Sequence, residues 1–463
     1  MAALHRSKIL FRPSLSFVVL GFLLVTLWVA GGASRDDVVG QVVVRAVAWL
    51  SLVVILLFGD YRALWRVRAP ALLLLGALLL AMAQLVPLPP SLWQALPGRT
   101  IFTEAAVLSG QAQPWRPWSI VPGATANAAA SLVVPLAVLL CAGGLKEAER
   151  RWVPGLVLAL IAAAALVGLL QFSGVAWKNP LINDTIGQVS GTFANRNHLE
   201  LFLFLGCLLA PVWAFTESDQ LSWRGPVALG LVLLFTLTIL AGGSRAGLGL
   251  GVVALAIGLL LIKQRLGRAL SRYPSWVLPV LTLGIIGVIA AFVLISVAAD
   301  RAVSIQRALA VDSGQDMRSR GLPIVLEMAR TYFPLGSGLG GFDSIFRMHE
   351  PFGLLKPTYF NHAHNDFLEI VLDAGLPGLL LLLAGLSWWA WASVRAWRAG
   401  SGMGHALAKM GSAMLLLVAV ASLFDYPART PMMMAMIMVA ALWLSGRSET
   451  ERGAALPASD QHL

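Results

Sequence analysis

Apolar residues run along this chain in twelve blocks of about 20, each followed by a polar break. The blocks lie near 14–32, 40–59, 70–87, 124–144, 152–172, 198–215, 226–242, 247–262, 276–298, 377–394, 408–424 and 430–446. A helix of that length matches the hydrocarbon thickness of a bilayer, so the pattern predicts an all-α, polytopic integral membrane protein with about twelve transmembrane helices. Residues 1–446 read as one membrane domain, and the polar 447–463 as a disordered cytoplasmic tail. The first block is long enough to span and no small-residue cleavage site follows it, so no cleavable signal peptide is read.

Cationic residues fall in alternate breaks. Arg6, Lys8 and Arg12 precede the first block, and Arg62, Arg66 and Arg68 follow the second. Lys146, Arg150 and Arg151 follow the fourth, Lys263, Arg265, Arg268 and Arg272 the eighth, and Arg395 and Arg398 the tenth. Short cationic loops stay in the cytoplasm, so both termini are expected there. The unusual breaks share the opposite, periplasmic side. They are a Pro- and Trp-rich loop at 88–123, the segment 177–198, the tight GGSRAG at 242–247, a long loop at about 299–376 and FDYPART at 424–430. A long loop with helices of its own is usually functional.

Composition then removes whole classes. Apolar residues make up 58% of the chain and charged ones 12%, far from soluble averages of about 45–50% and 25%. The formal charge of +11 sits in the loop clusters just named, which excludes a nucleic-acid partner in favour of membrane orientation. Cys141 and Cys207 both fall in or beside apolar blocks, which argues against a disulfide framework or a zinc site. Of the tryptophans, Trp93, Trp115 and Trp118 are expected in the interfacial belt.

The chemistry-bearing stretch is NHAHNDFLEIVLDAGLPG at 361–378, where polar residues abut a long apolar block. Asp366 with Glu369 reads as a helix start, and Gly375-Leu376-Pro377 as the break before the next helix. His364 can cap that short helix or act as a base tuned by Asp366 and Glu369, and the residues alone leave both open. Arg245, squeezed between two spans and flanked by Gly242, Gly243 and Gly247, is a charge whose default is functional. Arg196, Arg318 and Arg320 can each be interfacial or solvated cations or phosphate contacts, and Asp425 a helix cap or an orienting carboxylate. The adjacent acids Asp36 and Asp37 lie far from these motifs and the outer carboxylates are scattered, so the pattern suits an arginine clamp and no metal.

In order and spacing, GTFANRNH at 191–198, GGSRAG, MRSRGLPIVLEMARTYFPLGSGLGGF at 317–342, HAHNDFLEIVLDAGLPG and FDYPARTP resemble the O-antigen ligase and O-antigen polymerase superfamily of bacterial envelope glycosyltransferases. His364 and Gly375 keep the family's histidine-ten-residues-glycine pattern. The family's leucine four positions after the arginine is not kept, since Gly249 stands there and Leu248 comes one residue early. The resemblance implies a GT-C-like helical fold in the bacterial inner membrane, with its site facing the periplasm. It implies transfer of a glycan from undecaprenyl diphosphate to a sugar hydroxyl, on lipid A-core in a ligase or on a second lipid-linked glycan in a polymerase, with no metal and no cofactor. It assigns His364, Arg245 and Arg320 to catalysis, and Arg196, Arg318, His362 and Asp425 to substrate binding. The non-enzyme alternative, a polysaccharide or lipid transporter, would want charged residues along the spans, yet Arg45 is the only clear one and no internal repeat is visible.

Overall fold

Backbone groups in an apolar environment must satisfy each other, and each of the twelve apolar blocks is accordingly helical. The computed structural model describes residues 12–59, 67–175, 177–183, 188–216, 222–243, 245–298, 317–355, 360–400 and 405–446, the side chains of 245–248, 296–298 and 317 excepted. The first blocks form α1 (Leu15–Ala30), α2 (Val39–Phe58) and α3 (Arg68–Gln84). After two short helices, α4 (Pro90–Gln94) and α5 (Thr100–Leu108), come α6 (Pro122–Ser131), α7 (Val133–Gly143), α8 (Glu147–Arg150) and α9 (Val153–Phe172). The next four are α10 (Arg196–Ala214), α11 (Arg224–Gly242), α12 (Arg245–Leu270) and α13 (Val277–Ala298). The long loop contributes α14 (Met317–Tyr332) and α15 (Phe342–His349), and the chain ends with α16 (Asp366–Arg398), α17 (Ala406–Ala421) and α18 (Pro431–Ser445). Among the described residues eight helical stretches are long and apolar enough to cross a membrane, and four shorter apolar helices accompany them. The protein is a multi-pass, all-helical membrane protein. A two-residue antiparallel ribbon, Pro87 and Leu88 against Pro117 and Arg116, ties the Pro- and Trp-rich loop together.

The helix α10 is the axis of the bundle. Every residue from His198 to Ala214 on it is buried, and α9, α11, α12 and α17 pack around it. At the other extreme α13 is apolar on all sides, and none of Val277–Ile295 is buried within the protein, as suits a helix with lipid around it. The helix α12 runs eight residues past its predicted apolar block, carrying Lys263, Arg265 and Arg268 as helix rather than loop. Lysine and arginine are good helix formers, and the next breaker arrives only at Pro274.

Above the bundle, α14, α15 and the first turns of α16 share a small core of Val325, Met328, Tyr332, Phe342, Ile345, Phe346, Phe360 and Leu372. The Pro- and Trp-rich loop is fastened to it by Arg99, which is wholly buried and donates to the carbonyls of Pro97 (2.9 Å), Trp118 (2.9 Å) and Gly336 (3.1 Å). Burial brings this guanidinium down to about 10, so it is still a cation at neutral pH. Two of the three tryptophans expected in an interfacial belt are instead packed here. Trp93 donates to the Pro117 carbonyl (2.8 Å) and lies under Arg116, and Trp118 donates to the Leu335 carbonyl (3.1 Å). Carbonyl partners within the loop supply what a lipid headgroup would otherwise give an indole N–H.

Gly375 breaks α16, at φ 57° and ψ −142°, where sequence reading expects a break. This conformation is essentially restricted to glycine, and a Cβ here would fall on the Pro334 carbonyl, which accepts from the Leu376 N–H at 2.7 Å. Gly375→Ala is therefore expected to lose at least about 1–3 kcal/mol of stability. Gly284→Ala on α13, where a Cβ meets nothing within 4 Å, serves as the neutral control in the same thermal unfolding assay in detergent.

Candidate active site

The short helix that opens α16 starts one residue earlier than its acids suggest. Asn365, not Asp366, is the N-cap, its side chain accepting from the Leu368 N–H at 3.0 Å. The same Asn365 donates to the Leu423 carbonyl (3.1 Å), and the Asp366 N–H donates to that of Ser422 (2.9 Å). The end of α17 is thereby stitched to the start of α16. With Asn365 in the capping role, His364 is left for other work.

Among the described residues His364 is the one non-glycine residue at positive φ, 52°. Such a conformation costs on the order of 1–3 kcal/mol and persists only where the surroundings impose it. Its ring stacks on Phe360 with centroids 4.8 Å apart and planes 7° from parallel, and meets Tyr426 edge-on at 5.0 Å. Its Nδ1 lies 2.9 Å from the His362 carbonyl. A carbonyl only accepts, so Nδ1 carries the proton and Nε2 of the neutral ring is an acceptor. Burial lowers the pKa of this imidazole, Asp425 pulls it back up, and Arg318 lowers it again.

Asp425 is buried beside it and gathers residues from two distant parts of the chain, the starts of α10 and α14. It accepts from the side-chain amides of Asn195 (3.2 Å) and Asn197 (2.6 Å), pairs with Arg318 Nη2 at 3.5 Å, and faces His198 Nε2 at 3.9 Å. Burial alone would raise this carboxyl, but His198, Arg318 and His364 hold it below the usual range. Asp425 caps no helix, since the turn Pro427–Arg429 that follows is preceded by Tyr426. The Tyr426 ring is framed by His198 (5.1 Å), His362 (4.3 Å) and His364 (5.0 Å), and burial pushes its phenol up to about 12.

Below the histidines lies an ion cluster. Asp366, Glu369 and Asp373 recur on one face of α16 and converge on Arg429, at 3.3, 3.1 and 3.7 Å. Glu369 also accepts from His362 Nδ1 (2.9 Å) and the Ala363 N–H (2.7 Å), and Asp373 accepts from the Gly340 N–H (3.1 Å). Burial works against charge on Arg429, but the carboxylates of Glu369, Asp373 and Asp366 outweigh it and raise the guanidinium above its ordinary value.

Of the expected site residues, His362, His364, Arg318 and Asp425 come together here. Arg320, two residues on from Arg318, is exposed and donates to the Gly353 carbonyl at 2.9 Å. Arg196 is half-buried at the first position of α10, between the two asparagines that bind Asp425. Arg245 opens α12 just after Gly243, whose left-handed φ of 70° ends α11, and its side chain lies outside the described residues. The buried carboxylate of Glu200 borders that turn, since a Cβ on Gly242 would lie 2.9 Å from it. Sequence reading passed over Tyr426, Asn195, Asn197 and Arg429. The signal for Arg429 was present, because acids at 366, 369 and 373 form one stripe that cannot be buried without a cation.

Residues 229–383 match the family described as O-antigen ligase. Over that segment the chain is similar to the O-antigen ligase family. No curated protein matches it. The matched segment holds Arg245, Arg318, Arg320, both loop histidines and the three acids of α16. Asn195, Asn197, Asp425 and Arg429 lie outside it and reach the same place through the hydrogen bonds above.

The electrostatics of this site are open to titration. The His364 midpoint, followed by NMR of labelled histidine in the solubilised protein, is expected below its ordinary 6.5. Asp425→Asn is expected to move it lower still, because the carboxylate favours the imidazolium. The stability attached to this ring is full above about 6.5 and is lost as pH falls through the folded value, since the unfolded chain takes up the proton first. An unchanged or higher midpoint in Asp425→Asn would refute the coupling.

Proposed function

We propose that the protein transfers a glycan from undecaprenyl diphosphate to a sugar hydroxyl on the periplasmic face of a bacterial inner membrane. In the favoured form it is a ligase and the acceptor is lipid A-core. The observation that supports this best is the 2.9 Å approach of His364 Nδ1 to the His362 carbonyl, which calls for Nδ1–H and leaves Nε2 to accept a hydroxyl proton. The acceptor oxygen attacks the anomeric carbon, the bond from that carbon to the diphosphate oxygen breaks, and the electron pair leaves with the diphosphate. The hydroxyl proton passes to His364 Nε2.

The departing diphosphate needs cations, and arginine supplies a planar fork that stays charged near a membrane. Arg245 and Arg320 are the residues proposed to meet it in the transition state, with Arg196, Arg318 and His362 binding substrate and Asp425 holding Arg318 at 3.5 Å. No metal is required by this account. The carboxylates that do gather, Asp366, Glu369 and Asp373, are already occupied by Arg429. The donor carries the driving force, so no nucleotide enters the scheme. Twelve crossings with both termini cytoplasmic, and 299–376 as the periplasmic catalytic loop, complete the reading. Of its flanks, 299–316 and the tail 447–463 lie outside the described residues.

Deleting the gene and running lipopolysaccharide on a gel tests the acceptor. A ligase mutant loses O-antigen from core altogether, whereas a ladder collapsed to a single repeat means a polymerase. With purified protein, His364→Ala is expected to lower turnover on the order of 10²–10⁴-fold with donor binding intact. Arg245→Ala should weaken donor binding as well, with Arg245→Lys rescuing only in part. Near-parent turnover by folded His364→Ala protein overturns the base assignment, and activity lost to a chelator and restored by magnesium overturns the arginine clamp.

Orientation has its own test, because Cys141 and Cys207 are buried and leave a quiet thiol background. Leu108→Cys, on the exposed face of α5, should react with an impermeant thiol reagent in spheroplasts. Arg151→Cys should react only after lysis, and the reverse pattern would invert the topology.

A further inference from the structure

The strained turn at His364 needs something to hold it, and that is Glu369. One oxygen of its carboxylate accepts from His362 Nδ1 at 2.9 Å and the other from the Ala363 N–H at 2.7 Å, so the residues on the N-terminal side of His364 are clamped by one side chain. The His362 carbonyl, in the peptide whose N–H Glu369 holds, is the group that accepts from His364 Nδ1. Glu369 is itself fully buried, and its charge is offset by Arg429 at 3.1 Å. Arg429 is fixed in turn by Asp366 and Asp373, and Asp366 by the Ser422 hydroxyl (2.9 Å) and the Ala428 N–H (3.2 Å).

We propose that Glu369, held by Arg429, is a positioning residue for glycan transfer, clamping the His362-Ala363 segment so that His364 keeps its left-handed backbone and its Nε2 faces the acceptor. Glu369 and Arg429 touch no reacting atom. They act through the loop. This rests on His364 being the base. The charged and titratable groups around the clamp are Glu369, Asp366 and Asp373 on α16, Arg429, Asp425 and Tyr426 from the 422–430 loop, His198 on α10 and Arg318 on α14.

Two substitutions loosen the clamp, one at Glu369 and one at the cation that holds it. Glu369→Gln keeps the volume but leaves one acceptor oxygen for two donors, so the His362 ring or the Ala363 N–H loses its partner. Arg429→Lys keeps a cation but cannot reach three carboxylates with one planar group.

The test is a double-mutant cycle on the purified full-length protein, with turnover measured against a lipid-diphosphate-linked glycan and melting temperature read in parallel. Glu369→Gln in the parent is expected to lower kcat on the order of 10–10²-fold with KM within about 2-fold. In a His364→Ala background the same change should cost less than about 2-fold, because there is no base left to position. Arg429→Lys should follow the same split with a smaller loss. An equal loss in both backgrounds means that Glu369 merely stabilises the fold, and no loss in the parent means that the clamp is idle; either result overturns the proposal while leaving the base assignment standing. If His364→Ala alone turns over at the parent rate, the base assignment falls and the clamp falls with it. Should Glu369→Gln not fold, Glu369→Asp draws the carboxylate back by one methylene while keeping its charge, and the cycle is read on that variant.

Discussion

A guanidinium largely withdrawn from water must be matched, and the upper half of this protein is arranged around one such match. Arg429 meets three carboxylates from successive turns of α16, and each brings a further segment with it. Through Asp366 comes the end of α17, through Glu369 the histidine loop, and through Asp373 the turn that carries Gly340. Burying that much charge is a poor way to add stability, because the desolvation penalty is large. What it provides is registry. Removing any member strands the others, so three backbone segments distant in sequence are obliged to meet in one arrangement.

Asp425 does a similar job at smaller scale. It sits between a helix start on α10, where Asn195 and Asn197 reach it, and Arg318 on α14. Arg318 is only partly buried, so it can hold Asp425 and still present its guanidinium to solvent or substrate. The two carboxylate centres share the short stretch from Ser422 to Arg429, which is why so brief a connection between α17 and α18 controls so much of the site.

The bundle itself was legible from the apolar blocks, because hydrocarbon thickness dictates helix length and leaves the backbone no alternative. The break at Gly375 and the importance of the 361–378 stretch were legible for local reasons, a glycine-proline pair and polar residues against a long apolar run. What could not be read was long-range pairing. Nothing in the order of residues says that Glu369 backs His362 rather than His364, or that Asp366 turns away to Arg429 and Ser422. The helix start slipped by one residue because Asn365 is as good a cap as Asp366, and the contact of Asn365 with the Leu423 carbonyl decides between them. Trp93 and Trp118 were misplaced because an indole beside a membrane and an indole packed in a folded loop have the same local sequence.

The interruption at Gly375 has a mechanical meaning as well. Below it α16 is a long apolar rod whose tilt answers to the bilayer, and above it the same chain carries the histidine turn. A continuous helix would transmit every change of tilt, magnified by its length, to the imidazoles. Here the helical hydrogen-bond ladder is interrupted, and the Leu376 N–H is tied instead to the carbonyl of Pro334, in a turn that the Arg99 latch and the Asp373 carbonyl also hold. The rod therefore meets the histidine turn at a glycine joint whose upper side is braced. The imidazoles are thus anchored to the braced turn and not to an unbroken extension of the rod.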